Sequence, residues 1–220
     1  MSAQGPLRNG EPAGFDLIET LRWDPAEGFI RRNRHLARLA ASAAELGFEC
    51  DNDRIEATLA GVVADSSIPL RVRLVLSPDG TADVSTQPYQ PLAPGTVWSL
   101  RLARTRLTSV DRLLRHKTTR RDAYAQARAE YLAAEADEVL LANERGEVCE
   151  GTITTLFADF GDNVLVTPRL DCGLLASVLR AEMLEEGKAM ETVLAFNDLH
   201  TARALFVGNS LRGLIPARLA

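Results

Sequence analysis

The alternation of apolar and polar positions makes the first predictions. In Phe15 to Trp23 (FDLIETLRW), Phe15, Leu17 and Leu21 share one parity and Asp16, Thr20 and Arg22 the other, the period of a strand. Asp24-Pro25 with Gly28 ends it in a turn. The period then lengthens. Leu36, Leu39, Ala40, Ala43 and Leu46 fall on one helical face, which predicts a helix capped by Asn33 and stopped by Gly47. A second helix is predicted over Asn52 to Asp65, with Ile55, Leu59, Val62 and Val63 inward. Leu70 to Leu76 (LRVRLVL) returns to the strand period, and Ser77-Pro78-Asp79-Gly80 folds it back into Thr81 to Thr86 as a hairpin.

Gln87 to Gly95 (QPYQPLAPG) holds three prolines and a glycine in nine residues. Proline lacks the backbone donor, so this stretch reads as a linker rather than an element. The domains predicted are a loose head over 1–14, a small domain over 15–88, a linker over 89–95 and a large domain over 96–220. In the second half, strands are predicted at Val97 to Ala103, Glu138 to Ala142, Val148 to Phe157, Asn163 to Thr167, Met190 to Phe196 and Ala204 to Val207. Helices are predicted over Thr118 to Glu135 and Leu174 to Glu186. The mixture in both halves gives an α/β (α+β) fold.

Composition narrows the function classes. The chain has 220 residues, 46% hydrophobic and 25% charged, with a formal net charge of −5. That is ample for a core, and a net negative chain argues against a nucleic-acid surface. No apolar run has the roughly 20 residues of a membrane span. Met1 to Gly14 is polar and carries no apolar signal core. Cys50, Cys149 and Cys172, odd in number and widely spaced, suggest reduced thiols and a cytoplasmic protein. His35, His116 and His200 lie far apart in sequence, and no Cys/His spacing suggests a metal.

Four segments are candidates for chemistry. In Arg115-His116-Lys117-Thr118-Thr119-Arg120-Arg121, neighbouring cations would lower the pKa of Lys117 toward a nucleophilic amine. The same stretch also reads as an exposed basic helix start. In Val148-Cys149-Glu150-Gly151-Thr152, a carboxylate in an apolar strand suits a protonated ring nitrogen, and Gly151 would admit a ring. Glu150 equally fits the solvent face of a strand. Thr167-Pro168 to Arg180 leads a loop into a helix N-terminus, a place for a phosphate. Gly208-Asn209-Ser210 puts a hydroxyl in a turn after a buried strand.

Taken in order, KTTRR, EVCEGTITTLF, TPRLDCGLLASVLR and FVGNSLRGLIPA resemble the class IV aminotransferase family, the fold-type IV pyridoxal-phosphate enzymes. FDLIETLRW and RHLARLAASAAELGF resemble that family's small domain, and Lys117 and Glu150 lie 33 residues apart, as the family has them. The resemblance implies a two-domain fold and pyridoxal 5′-phosphate as cofactor. It implies that Lys117 holds the cofactor as a Schiff base and serves as acid and base, while Glu150 pairs with the pyridine nitrogen. Arg38, the backbone of Val178 and Leu179, and Ser210 match the phosphate ligands. Thr20 matches a position on the substrate side, counted here with Lys117 as catalytic. Arg121, Tyr124 and Arg106 are substrate candidates. Within the family the likeness is to the 4-amino-4-deoxychorismate lyases, which yield 4-aminobenzoate and pyruvate in folate biosynthesis. A class IV aminotransferase of branched-chain or D-amino acids is the alternative, and a catalytically silent homodimer of the same fold a third. The chain departs from the family pattern in its missing opening strands, in Thr155 where many relatives have Asn, and in Ser177 where many have Gly. Relatives also imply a homodimer acting on a small molecule, without nucleic acid or membrane.

Overall fold

Residues 14–220 are described by a computed structural model, so the head predicted over 1–14 lies, Gly14 excepted, outside the described residues. The chain divides into two units, one running to Gln90 and including Lys117–Arg120, the other made of Pro91–His116 and Arg121–Ala220.

The first unit follows its pattern closely. Strands β1 (Leu17–Asp24), β2 (Gly28–Phe29), β3 (Leu70–Leu76) and β4 (Ala82–Pro88) form an antiparallel sheet in the order β2-β1-β3-β4. Alternation in β3 buries Leu70, Val72, Leu74 and Leu76, and its register sets Leu17 opposite Leu76 and Trp23 opposite Leu70. Helix α1 (Arg32–Leu46) packs on β1, and α2 (Asn52–Val63) on β4. Asn33 is not the cap of α1: the helix starts at Arg32, two residues earlier than an Asn33 cap would give, after Arg31 turns the chain at φ 58°. Asp51 caps α2 by accepting from the Arg54 N–H at 3.0 Å. Of the apolar residues expected inward on α2, Ile55, Leu59 and Val63 are buried, whereas Val62 is exposed.

Lys117–Arg120 joins this unit through backbone pairing. Ile18 N–H donates to the Lys117 carbonyl at 2.8 Å, Thr119 N–H to the Asp16 carbonyl at 2.9 Å, and Thr118 bridges Leu17 antiparallel. The lysine expected within the second-half domain is therefore held on the edge of β1. The helix predicted from Thr118 starts only at Asp122, because Thr118 and Thr119, both β-branched, are taken up by that pairing.

The second unit is an eight-stranded mixed sheet in the order β10-β9-β8-β11-β12-β5-β6-β7. Its strands are β5 (Trp98–Leu107), β6 (Glu138–Asn143), β7 (Val148–Gly151), β8 (Thr155–Asp159), β9 (Leu165–Pro168), β10 (Ala189–Thr192), β11 (Ala204–Asn209) and β12 (Gly213–Leu219). Every residue of β6 is buried, so alternation is absent there, as a strand covered on both faces requires. Helix α3 (Asp122–Ala129) covers Ala103, Leu107, Val139, Leu141 and Cys149. Helix α4 (Val178–Glu185) covers Phe157 with Leu179 and Met183. The single strand predicted over Val148 to Phe157 is two strands broken at Thr152–Thr154. Strand β12 was not predicted: Pro216 and Gly213 obscure its pattern, yet it pairs with both β11 and β5. All three cysteines are free thiols.

Candidate functional site

Two candidate residues of the second unit, Tyr124 and Arg121, are linked to Glu150. This residue is 4% exposed and sits opposite Leu141 of β6. Its Oε1 accepts from the Tyr124 hydroxyl at 2.6 Å and from the Leu175 N–H at 3.1 Å. Burial, then the nearby Glu150 charge, pushes the Tyr124 phenol well above its usual range, so it stays a donor. Tyr124, a substrate candidate by resemblance, thus has its hydroxyl committed to Glu150. Arg121 lies over the Tyr124 ring, 4.3 Å from its centroid, and donates to the Thr152 carbonyl. Arg106 is exposed and bends back onto the carbonyls of Ala103, Arg104 and Thr105 in its own strand. Cys149, beside Glu150, is no nucleophile: burial and neighbouring carboxylates push its thiol far up.

Helix α4 begins where the loop was expected to deliver it. Ser177 caps it by accepting from the Arg180 N–H at 3.2 Å, and Val178 and Leu179 are its first residues, where backbone N–H groups lack helical acceptors. The Ser177 hydroxyl also meets the Thr155 hydroxyl at 2.6 Å. The two departures from the family pattern are thus one contact, tying the start of β8 to the cap of α4. Gly208 brings this helix onto β11: a Cβ there would stand 2.7 Å from Leu179 Cδ2 and 2.7 Å from the Gly213 carbonyl oxygen. Ser210 follows in a turn where Asn209 Oδ1 accepts from the N–H groups of Leu211 at 3.1 Å and Arg212 at 3.0 Å. The helix start and the Ser210 turn are therefore packed side by side.

In the first unit, Arg38 is held by a residue that the pattern did not single out. Its Nε donates to Glu19 Oε1 at 2.8 Å and its Nη2 to Glu19 Oε2 at 2.6 Å, a two-pronged pair. His35 Nδ1 lies 2.7 Å from Glu19 Oε2. Burial raises the Glu19 pKa, but the Arg38 charge and the hydrogen bonds of His35 and Arg38 outweigh it and hold the carboxyl at about 2. Its signal was present: Glu19 shares the parity of Leu17 and Leu21, a carboxylate on the buried face of β1. Thr20, the next residue, is half-buried and pairs with Arg73 of β3. Lys117 is anchored two residues earlier along the same strand through Ile18.

This donor set suits a group with a protonatable ring nitrogen and a phosphate. Glu150 is a buried carboxylate aligned by two donors, and a cationic ring nitrogen is the partner such a carboxylate favours. The start of α4, whose first N–H groups have no helical acceptor, suits an anion, and within the first unit Arg38 is a cation held by Glu19. Gly151, expected to make room for a ring, leaves room for the turn that follows it: a Cβ would stand 2.4 Å from Thr154 Oγ1 and 2.8 Å from the Glu138 carboxyl.

Residues 16–220 match the family model described as Amino-transferase class IV. A Schizosaccharomyces pombe protein described as "Putative aminodeoxychorismate lyase" is 32% identical over 203 residues, 90% of this chain and 86% of its own. The crystal structure of a "Putative amino-acid aminotransferase" from Mesorhizobium loti is 63% identical, with a TM-score of 0.92, covering 94% of this chain and 100% of that one. The 4-amino-4-deoxychorismate lyase from Pseudomonas aeruginosa is 27% identical with a TM-score of 0.82, covering 100% of this chain and 88% of that one.

Proposed function

Because the chain belongs to the class IV aminotransferase family and is a pyridoxal-phosphate-dependent enzyme, we propose that it is a lyase turning 4-amino-4-deoxychorismate into 4-aminobenzoate and pyruvate. The observation that carries this reading is a concentration of charge. Between Arg101 and Arg121 there are eight Lys or Arg residues and one Asp, in a chain of net charge −5. Aminodeoxychorismate has two carboxylates, whereas a branched-chain amino acid has one and an apolar tail. Guanidinium groups pair with carboxylates in a two-pronged geometry, so this segment favours the dicarboxylate. The lyase names of the yeast and Pseudomonas aeruginosa relatives point the same way, while the Mesorhizobium loti name favours transamination.

Each residue has a defined task in this reading. Bound pyridoxal phosphate supplies an electron sink, drawing negative charge from the carbon that bears the substrate nitrogen. Lys117 holds the cofactor through its amine and, when released, moves the proton at that carbon. Glu150, aligned by Tyr124 and Leu175, keeps the ring nitrogen protonated. Arg38, the N–H groups of Val178 and Leu179, and the Ser210 hydroxyl hold the phosphate. Thr20 stands on the substrate side. Arg121, with its ring contact and its hydrogen bond to Thr152, orients the arm that carries Tyr124.

The test is incubation of cofactor-loaded protein with aminodeoxychorismate and no oxo acid, with 4-aminobenzoate and pyruvate followed by chromatography. Wild type is expected to form both products in equal amounts, and Lys117→Ala neither. Turnover that starts only when a 2-oxo acid is added would overturn the lyase reading in favour of an aminotransferase.

A further inference from the structure

The break between β7 and β8 is built around one buried carboxylate. Glu138, the first residue of β6, is 1% exposed and accepts five hydrogen bonds. Its Oε1 accepts from the N–H of Val139 at 2.9 Å, the N–H of Thr152 at 3.0 Å and the hydroxyl of Thr152 at 2.6 Å. Its Oε2 accepts from the N–H of Ile153 at 3.1 Å and the hydroxyl of Thr154 at 2.8 Å. Four of these donors come from the three residues that follow Glu150-Gly151. Glycine at 151 is what lets the turn close on the carboxylate. Buried carboxylates are costly unless donors surround them, and bonds to a carboxylate are among the stronger hydrogen bonds, so the turn is rigidly set.

The opposite side of the same turn holds the cofactor-directed residues. Arg121 donates to the Thr152 carbonyl, and Asn209 Nδ2 to the Ile153 carbonyl at 3.2 Å. Arg121 precedes α3 and lies on Tyr124, whose hydroxyl reaches Glu150. Asn209 orders the turn that contains Ser210. One turn thus braces both the ring-nitrogen arm and the phosphate arm of the second unit.

We infer that Glu138 is a positioning residue for cofactor binding, acting through Thr152–Thr154 on Glu150 and Ser210. This rests on the roles proposed above for those two residues. The test loads wild type, Glu138→Gln, Glu138→Asp and Glu150→Gln with pyridoxal phosphate and measures its dissociation constant and the pH dependence of its visible absorption. Glutamine keeps the shape but turns an NH2 group toward donors. Glu138→Gln is expected to weaken binding about ten-fold and to shift the pH midpoint in the direction that Glu150→Gln shifts it. Glu138→Asp is expected to recover part of both. Should Glu138→Gln fail to fold, Thr152→Val and Thr154→Val each remove one donor and are expected to weaken binding about two- to five-fold. Wild-type affinity and titration in Glu138→Gln, or in both threonine variants where it does not fold, overturn the inference while Glu150→Gln remains impaired. A Glu150→Gln protein identical to wild type would sink the role of Glu150, and this inference with it.

Discussion

A fully buried carboxylate destabilises a strand unless charge and hydrogen bonds answer it, and Glu19 is answered by Arg38 through two nitrogens and by His35 through one. Because the folded state holds this carboxyl at about 2, below the ordinary 4.5, its contribution is complete above pH 4.5 and is lost as pH falls toward 2. The shift corresponds to a stabilisation on the order of 3 kcal/mol. Thermal unfolding followed from neutral to acid pH is expected to show wild type losing stability through that window. Glu19→Gln should start lower and fall less steeply, and parallel curves would remove the ion pair as the cause. Arg38 was legible through family resemblance, but its anchor was legible only as a carboxylate out of place on the apolar parity of β1. Tyr124 shows the converse: the family resemblance suggested substrate, and only the fold revealed its bond to Glu150.

At the scale of elements, α4 and β11 are set against each other by Gly208. Gly208→Ala is expected to force apart Leu179 and the Gly213 carbonyl, at about 1–3 kcal/mol by overpacking. Urea unfolding and cofactor affinity should both decline. If affinity survives intact, the α4 start is not the phosphate cradle. Most elements were legible because the period was clean, as in β3, predicted over the same residues that form it. The failures share a cause. Thr118–Thr119 has helix-compatible composition on one side of it, but its backbone is paired at the start of β1. Thr152–Thr154 has strand composition, but Glu138 draws three successive residues into a turn. In both places a distant partner outweighed local propensity.

For the molecule as a whole, charge is distributed unevenly. The Arg101–Arg121 segment is strongly basic and the remainder of the chain acidic. If that segment recognises a dicarboxylate substrate, added salt should raise KM several-fold and leave kcat nearly constant, since screening acts on encounter and binding rather than on the proton transfer. A KM indifferent to salt would argue for a substrate held by apolar contacts instead. Of the residues proposed for the cofactor and substrate, Lys117, Thr20 and Arg38 belong to the first unit and Glu150, Val178, Leu179 and Ser210 to the second. Among the described residues, no helix is long and apolar enough to cross a membrane.

The sequence by itself determined the mixed α/β class, most elements and the family, because hydrophobic period and ordered motifs are local properties of a chain. Through the family resemblance it also offered Lys117 and Glu150 as candidates for the cofactor. Only the tertiary structure decided that Lys117 rides on the edge of β1, that Glu19 fixes Arg38, that Thr155 and Ser177 share a hydrogen bond, and that Glu138 shapes the turn after Glu150. Each of these is a pairing across 14 to 99 residues of chain. Buried polar groups choose such partners by proximity in the folded state, and no pattern of neighbours along the chain encodes it.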